Sequence, residues 1–348
     1  MFVGESSFAK SYPPSIVDHF IDWVERIPIP WWAFYLGLAF VLISIEVALM
    51  WNGRNGGIAP YPLAQVAILA YSFALMDGLN RLAGRAMTRF RPLLNASESE
   101  YQSLCYKLTT LPPRPVWRAM LCGAIFGAAI FGVIPAHFLA DELGYAISVP
   151  SVVYNVVINA MGWAAASALI YHTAHQLGLV HQITLRARGI NLFALNSIYA
   201  FSVLSAATAI GYMGMTLVLY GVSPTLLSQF LPVAILVFFT ILSFTAFVLP
   251  LRGARAVLAK EKSQRLRETG DRMAALYTEL HRRVDAGEMA NMSELNQALA
   301  SLEMERTALN HVSALPWPKD LFRVVTLALF TPLLWWAVDK LLTVLAGP

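Results

Sequence analysis

The sequence predicts an all-α, polytopic membrane protein: about seven transmembrane helices, with a cytoplasmic antiparallel helical hairpin between helices six and seven. Three observations carry this. The chain is 57% hydrophobic and 13% charged, about half the charged fraction of an ordinary soluble domain. Its apolar residues gather into long runs, each able to cross about 30 Å of hydrocarbon at 1.5 Å per residue. Of its 25 Lys and Arg residues, all but Arg54 and Lys340 fall on one side of the membrane those runs imply. Lys/Arg bias in short loops sets orientation, so the N-terminus is expected inside and the C-terminus outside.

Residues 1–28 form the N-terminal cytoplasmic segment. They lack the basic start and compact apolar stretch of a signal peptide. Ile16, Val17, Phe20, Ile21, Val24 and Ile27 share one helical face, with Asp18, Asp22, Glu25 and Arg26 opposite. Ser15 suits the N-cap. The expectation is an amphipathic helix on the membrane surface or on the bundle.

Residues 29–250 form the six-helix transmembrane domain, with spans near 31–51, 59–77, 116–139, 150–171, 196–220 and 229–250. Between spans two and three lies a basic cytoplasmic loop, 78–118. Arg81, Arg85 and Arg89 recur at i+4, so helix two should run on past the bilayer with a basic face that meets lipid phosphates. Asp77 stands four residues before Arg81, the spacing of a local ion pair. Ser97 and Glu100 make a capping-box pattern ahead of Tyr101, Leu104, Cys105 and Leu108, which predicts a short helix. The opposite loops, 52–58, 140–149 and 221–228, are short and nearly free of cations.

Residues 251–317 turn polar and helical. Met273, Leu276, Leu280 and Val284 follow heptad spacing, as do Met292, Leu295, Leu299, Leu302 and Leu309. Asp285-Ala286-Gly287-Glu288 reads as the turn between two arms of about 45 Å each. Asn291 with Glu294 resembles a cap for the second arm. Pro316-Trp317-Pro318 ends that arm, and residues 318–348 hold the seventh span, near 320–346. The apolar seam of the hairpin needs a cover, which makes residues 251–315 the expected surface for homo-oligomerisation or for a protein partner.

Two cysteines, Cys105 and Cys122, sit where no disulfide is favoured. Arg exceeds Lys, 19 to 6, in keeping with a GC-rich genome and a bacterial inner membrane.

Function must come from polar groups inside the spans. Glu46 lies in Leu-Ile-Ser-Ile-Glu-Val-Ala-Leu, in the outer third of span one; an ionised carboxylate costs about 2.5–3.5 kcal/mol at the bilayer centre and less toward the interface. Asn155 and Asn159 share a stripe with Gly162 and Ala166. Ser202, Ser205, Thr208 and Tyr212 share a face of span five, and Thr240 and Ser243 lie on span six. These residues predict an ion-binding group or a hydrated pathway: Glu46, Asn155, Asn159, Ser202, Ser205, Tyr212 and Thr240. Gly123 and Gly127 form a small-xxx-small pair that suits close helix packing. His172 and His175, one turn apart at the inner end of span four, are candidate pH-sensitive groups. With no carboxylate or cysteine beside them they make a poor metal site, and no metal or cofactor is expected.

No zinc-protease, P-loop, dinucleotide-binding or nucleophile-elbow signature is present, so the sequence leans away from an enzyme. Span seven has no central lysine, which argues against a retinal protein, and the orientation is opposite to that of G-protein-coupled receptors. No nucleic-acid partner is implied. The expected function is a channel or carrier for ions or a small solute, homo-oligomeric and embedded in the lipid bilayer. A sensor signalling through the hairpin, or a structural subunit of a larger membrane complex, are the alternatives.

Overall fold

The structure is a computed structural model. It describes residues 11–51, 60–133, 149–187, 192, 196–222, 230–287, 292–312 and 315–346. Among them there is no strand, only a bridge between Leu94 and Ala187. The helices run in the order α1 (Ile16–Glu25), α2 (Trp31–Trp51), α3 (Pro60–Phe90), α4 (Glu98–Thr109), α5 (Pro113–Val133), α6 (Val149–Leu185), α7 (Asn196–Val222), α8 (Phe230–Val248), α9 (Arg252–Asp285), α10 (Met292–His311) and α11 (Lys319–Ala346).

Among the described residues, five helical stretches are long and apolar enough to cross a membrane, beginning at Trp31, Leu63, Val152, Ser197 and Phe230. The predicted third and seventh spans form helices, α5 and α11, but are not among these five. Arg114 and Arg118 enter the first turns of α5, while Lys319, Asp320 and Arg323 open α11. Residues 134–139, the predicted far end of span three, lie outside the described residues, as do most of the loops at that end of the bundle, 52–59, 134–148 and 223–229. Large apolar side chains cover the outward faces of the bundle. Phe40 is 71% exposed and Leu327 70%. So much exposed apolar surface is expected only where lipid, not water, is the solvent.

Local signals specify the short helices. Ser15 caps α1: its Oγ accepts from the Asp18 amide, and Asp18 returns a bond to the Ser15 amide. Ser97 and Glu100 do the same for α4. α3 runs on to Phe90 as expected, then closes in a 3-10 turn, Arg91–Leu93. α4 packs on α3 and α6.

The core lies among α3, α6 and α7. Phe90 meets Phe201 at 4.9 Å between ring centres, and Met76, Leu169 and Tyr212 are fully enclosed. α5 lies closest of all against α6. A Cβ on Gly123 would stand 2.3 Å from the Trp163 carbonyl, and one on Gly127 2.6 Å from that of Asn159. The small-xxx-small reading therefore has its physical cause: only glycine lets the two backbones approach so far.

A short break at 249–251, holding Pro250, separates α8 from α9. α9 packs on α10, and Lys262 near the start of α9 donates to the carbonyls of Asn310 and Val312 at the end of α10. Gly287 takes φ +69° just after α9, a left-handed turn conformation that glycine adopts without strain. The arms are unequal, with 34 residues in α9 and 20 in α10, or about 51 and 30 Å. Asn291, expected to cap α10, lies outside the described residues.

Candidate functional site

Two polar clusters sit at opposite ends of the bundle. The first is built from α2 and α6. Glu46 is fully buried, and its Oε1 accepts from Asn155 Nδ2 at 3.2 Å. Asn159 lies one turn further along α6 and donates its Nδ2 to the Asn155 carbonyl at 3.1 Å. Both asparagines are 1% exposed. Tyr154 fixes the two helices together by donating to the Leu42 carbonyl at 2.9 Å. Two acceptors in this cluster have no hydrogen-bond partner, Glu46 Oε2 and Asn159 Oδ1. Buried acceptors left unpaired cost about 1–3 kcal/mol each, and more when charged. The cluster is therefore short of positive charge or donors, which a proton or a cation at Glu46 would supply. One turn along α6 from Asn159, a small cavity of about 30 Å3 opens among Gln65, Gly162, Trp163, Thr216, Tyr220 and Phe239.

The second cluster joins α1, α3, α4 and α6 at the end of the bundle from which α9 extends. Asp77, fully buried, accepts from Arg81 Nε at 2.7 Å and from the Tyr35 hydroxyl at 3.4 Å. Arg81 also pairs with Glu25 at 2.8 Å and stands over the Trp31 ring. Asn80 Oδ1 lies 2.8 Å from His172 Nε2 and accepts from Gln176 Nε2 at 3.4 Å. Gln176 donates as well to the Leu108 carbonyl at 3.1 Å. His175 Nε2 faces the Lys107 carbonyl at 3.1 Å and the Tyr12 hydroxyl at 3.4 Å. Tyr12 in turn donates to the Thr110 carbonyl at 2.8 Å. Burial pushes the Tyr12 hydroxyl up to about 12, so it stays a donor at any physiological pH.

Between the clusters the packing is mostly apolar, with Ser72 buried among it. Tyr35 and Glu46 lie eleven residues apart on α2, about 16 Å. Val66, Leu69, Ile158 and Ala165 fill that interval as one buried group, with Leu42, Ile43 and Phe73 against it.

The residues expected from the sequence divide accordingly. Glu46, Asn155 and Asn159 come together. Ser202 donates instead to the Pro316 carbonyl, Tyr212 bonds the Thr173 hydroxyl, and Thr240 bonds the Leu236 carbonyl of its own helix. Ser205 is buried with its hydroxyl unpaired. Membrane helices use hydroxyls in this way to satisfy their own carbonyls, and such residues need not line a passage. Arg81, expected at lipid phosphates, is turned inward to two carboxylates, while Arg85 and Arg89 remain exposed. His172 and His175 do not share a ligand position; each ring has its own carbonyl partner.

Sequence reasoning misses Asp18, Asn80 and Gln176. Helical periodicity puts Asp18 on the polar face of α1, yet it is 6% exposed and accepts from the Leu111 amide at 3.0 Å. The Ser15-x-x-Asp18 spacing is the available signal. Asn80 and Gln176 have none, because their pairing depends on how α3 and α6 cross.

Among the described residues, no group of three or more His, Cys, Asp or Glu side chains could hold a metal ion. No family model, no curated protein and no solved structure matches this chain, so the geometry above carries the functional reading alone.

Proposed function

We propose that this chain is an integral membrane carrier for ions or a small solute, with Glu46 as its proton- or cation-binding group. The observation that carries the reading is the pair of unsatisfied acceptors, Glu46 Oε2 and Asn159 Oδ1, in a fully buried site on an apolar span. Evolution rarely leaves a carboxyl in hydrocarbon without a task for it. The apolar layer of Val66, Leu69, Ile158 and Ala165 favours a carrier over an open channel, because it separates the Glu46 site from the polar cluster at the other end. The small cavity one turn along α6 from Asn159 has room for about one water, enough for a proton relay or a bare ion but not for a larger solute.

The charge distribution supports the placement in the membrane. The chain crosses a bacterial inner membrane seven times, with its N-terminus and an α9–α10 hairpin in the cytoplasm. Copies associate through that hairpin, where Met304 and Val284 leave apolar surface exposed.

The test is flux in proteoliposomes under imposed pH and sodium gradients, with an internal pH dye and membrane current read together. The expected result is gradient-driven flux that Glu46→Gln abolishes while the variant keeps its melting temperature. Unitary channel currents that persist in E46Q would remove both the carrier and the role of Glu46.

A further inference from the structure

At the end of the bundle from which α9 extends, a cavity of about 500 Å3 opens between α6 and α8. Its floor is Thr173, Leu177 and Ala246, all buried. Its lips are exposed, Ala174 and Gly178 on α6 and Thr245 and Leu249 at α8, so the cavity is a groove on the flank of the bundle. Small residues make the room: a Cβ on Gly178 would meet nothing within 4 Å. Gly253 of α9 closes the groove at one end, where its Cβ would stand 3.1 Å from His181 Nδ1 and 3.2 Å from Leu185 Cδ2.

The groove is polar at that end only. Thr173 Oγ1 lies 3.0 Å from the Leu169 carbonyl and also meets the Tyr212 hydroxyl, and Thr245 donates to the Ile241 carbonyl of its own helix at 2.8 Å. Both hydroxyls are satisfied, which leaves His181 and Arg252 as the polar groups facing a ligand. The break that holds Pro250 sets Arg252 there, and Arg255 follows one turn on. Both arginines are exposed, and neither forms an ion pair among the described residues. α6 and α8 carry no acidic residue, and the first on α9 is Glu261. The dimensions fit as well. From Ile170 to His181 the groove follows α6 for eleven residues, about 16 Å, against about 15 Å for one leaflet's half of the hydrocarbon core.

We propose that this groove holds an acyl chain of an anionic phospholipid, with the headgroup phosphate at Arg252 and Arg255. Water is a poor occupant, because it needs several polar partners and the walls offer none away from His181 and Arg252. A free phosphate would use the arginines and leave the apolar space empty. An uncharged hydrocarbon would fill the space and leave the arginines unpaired. An amphiphile with an anionic head and a chain uses both, and Arg suits phosphate through its fork of donors. The site requires that α6 and α8 lie in a bilayer, and does not require that the protein transport anything.

The test uses the full chain, purified in an uncharged detergent and titrated with dioctanoyl phosphatidylglycerol, with bound lipids counted by native mass spectrometry. Dioctanoyl phosphatidylcholine supplies the same chains without net charge, and glycerol phosphate the anionic head without chains. The expected result is a first phosphatidylglycerol adduct that saturates ahead of all others, weaker binding of phosphatidylcholine, and none of glycerol phosphate. Arg252→Gln, at an exposed position, is expected to weaken the first adduct about fivefold, the worth of one basic residue beside an anionic lipid. Arg89→Gln, exposed on α3 outside the groove, is expected to leave it as it was. Gly178→Trp fills the groove from α6 and Thr245→Trp from α8, and each is expected to abolish the adduct while keeping the parent's melting temperature. If glycerol phosphate binds as tightly as the lipid, the arginines hold free phosphate and the site falls. It falls too if phosphatidylcholine binds equally, or if R89Q weakens binding as much as R252Q, because the contact is then ordinary lipid around the bundle. Retention of the saturable adduct by a folded G178W or T245W would place the lipid elsewhere.

Discussion

Substituting Gly127 by alanine tests the closest contact in the bundle. The added Cβ would stand 2.6 Å from the Asn159 carbonyl, 2.8 Å from Trp163 Cδ1 and 2.9 Å from Trp163 Cβ. Two of these three atoms lie on the backbone or at the root of a side chain, so no flexible tip can swing away. Restoring ordinary contact near 3.4 Å requires α5 to retreat by about 0.8 Å along its length, loosening the packing of neighbouring turns. Overpacking of this kind costs about 1–3 kcal/mol. Gly37→Ala is the matched control, because a Cβ there meets nothing within 4 Å and alanine is the better helix former by about 1 kcal/mol. Thermal unfolding of the detergent-solubilised protein, followed by tryptophan fluorescence, should show Gly127→Ala melting several degrees below the parent and Gly37→Ala at or above it. If Gly127→Ala melts with the parent, the α5–α6 approach is not as close as described, and the account of Gly123 fails with it.

Further outcomes follow from single groups. Tyr12→Phe removes the bond to the Thr110 carbonyl and should destabilise the fold by about 1 kcal/mol, read as a lower melting temperature. Gly287→Ala places a side chain at φ +69° and should cost about 1 kcal/mol, whereas Gly287→Asn, which tolerates that region, should cost less; equal melting of the two would refute the left-handed turn. Burial raises the carboxyl of Asp18 above its ordinary value, against the lowering effect of its bonds from Ser15 and Leu111. The unfolded chain therefore loses that proton first. Stability from this group is fully present below pH 3.8 and is lost as pH rises through the folded value. The melting temperature of the parent relative to Asp18→Asn should accordingly fall as pH rises from 3.8 to 6, and a difference that grows instead would show that the hydrogen bonds outweigh burial.

Much of this architecture is legible in the sequence because its causes are local. The caps at Ser15 and Ser97, the extension of α3 past Asp77, and the turn at Gly287 each depend on residues within one or two helical turns. The pairing of Glu46 with Asn155 is half legible. Each residue is conspicuous on an apolar helix, but nothing in the sequence says that α2 and α6 meet. Ser202, Tyr212 and Thr240 resemble the asparagines on paper and differ in fact, because a hydroxyl can bond to a nearby carbonyl, often in its own helix, while an asparagine amide or a carboxylate cannot be fully satisfied that way. The burial of Asp18 against Leu111 is hidden for a related reason. It needs α1 folded under α4, and the helical periodicity of α1 alone assigns Asp18 to solvent.

The glycine contact between α5 and α6 also bears on how such a bundle would move. Backbones pressed together with no side chain between them have no layer in which to slide, so α5 and α6 travel as one plank. α6 spans 37 residues, about 55 Å, and carries Asn155 and Asn159 near one end and His172 and Gln176 towards the other. A rocking of this plank that opened the gap at Glu46 would close the gap at Asn80, and the converse. One rigid seam would make the two ends of the protein answer to each other.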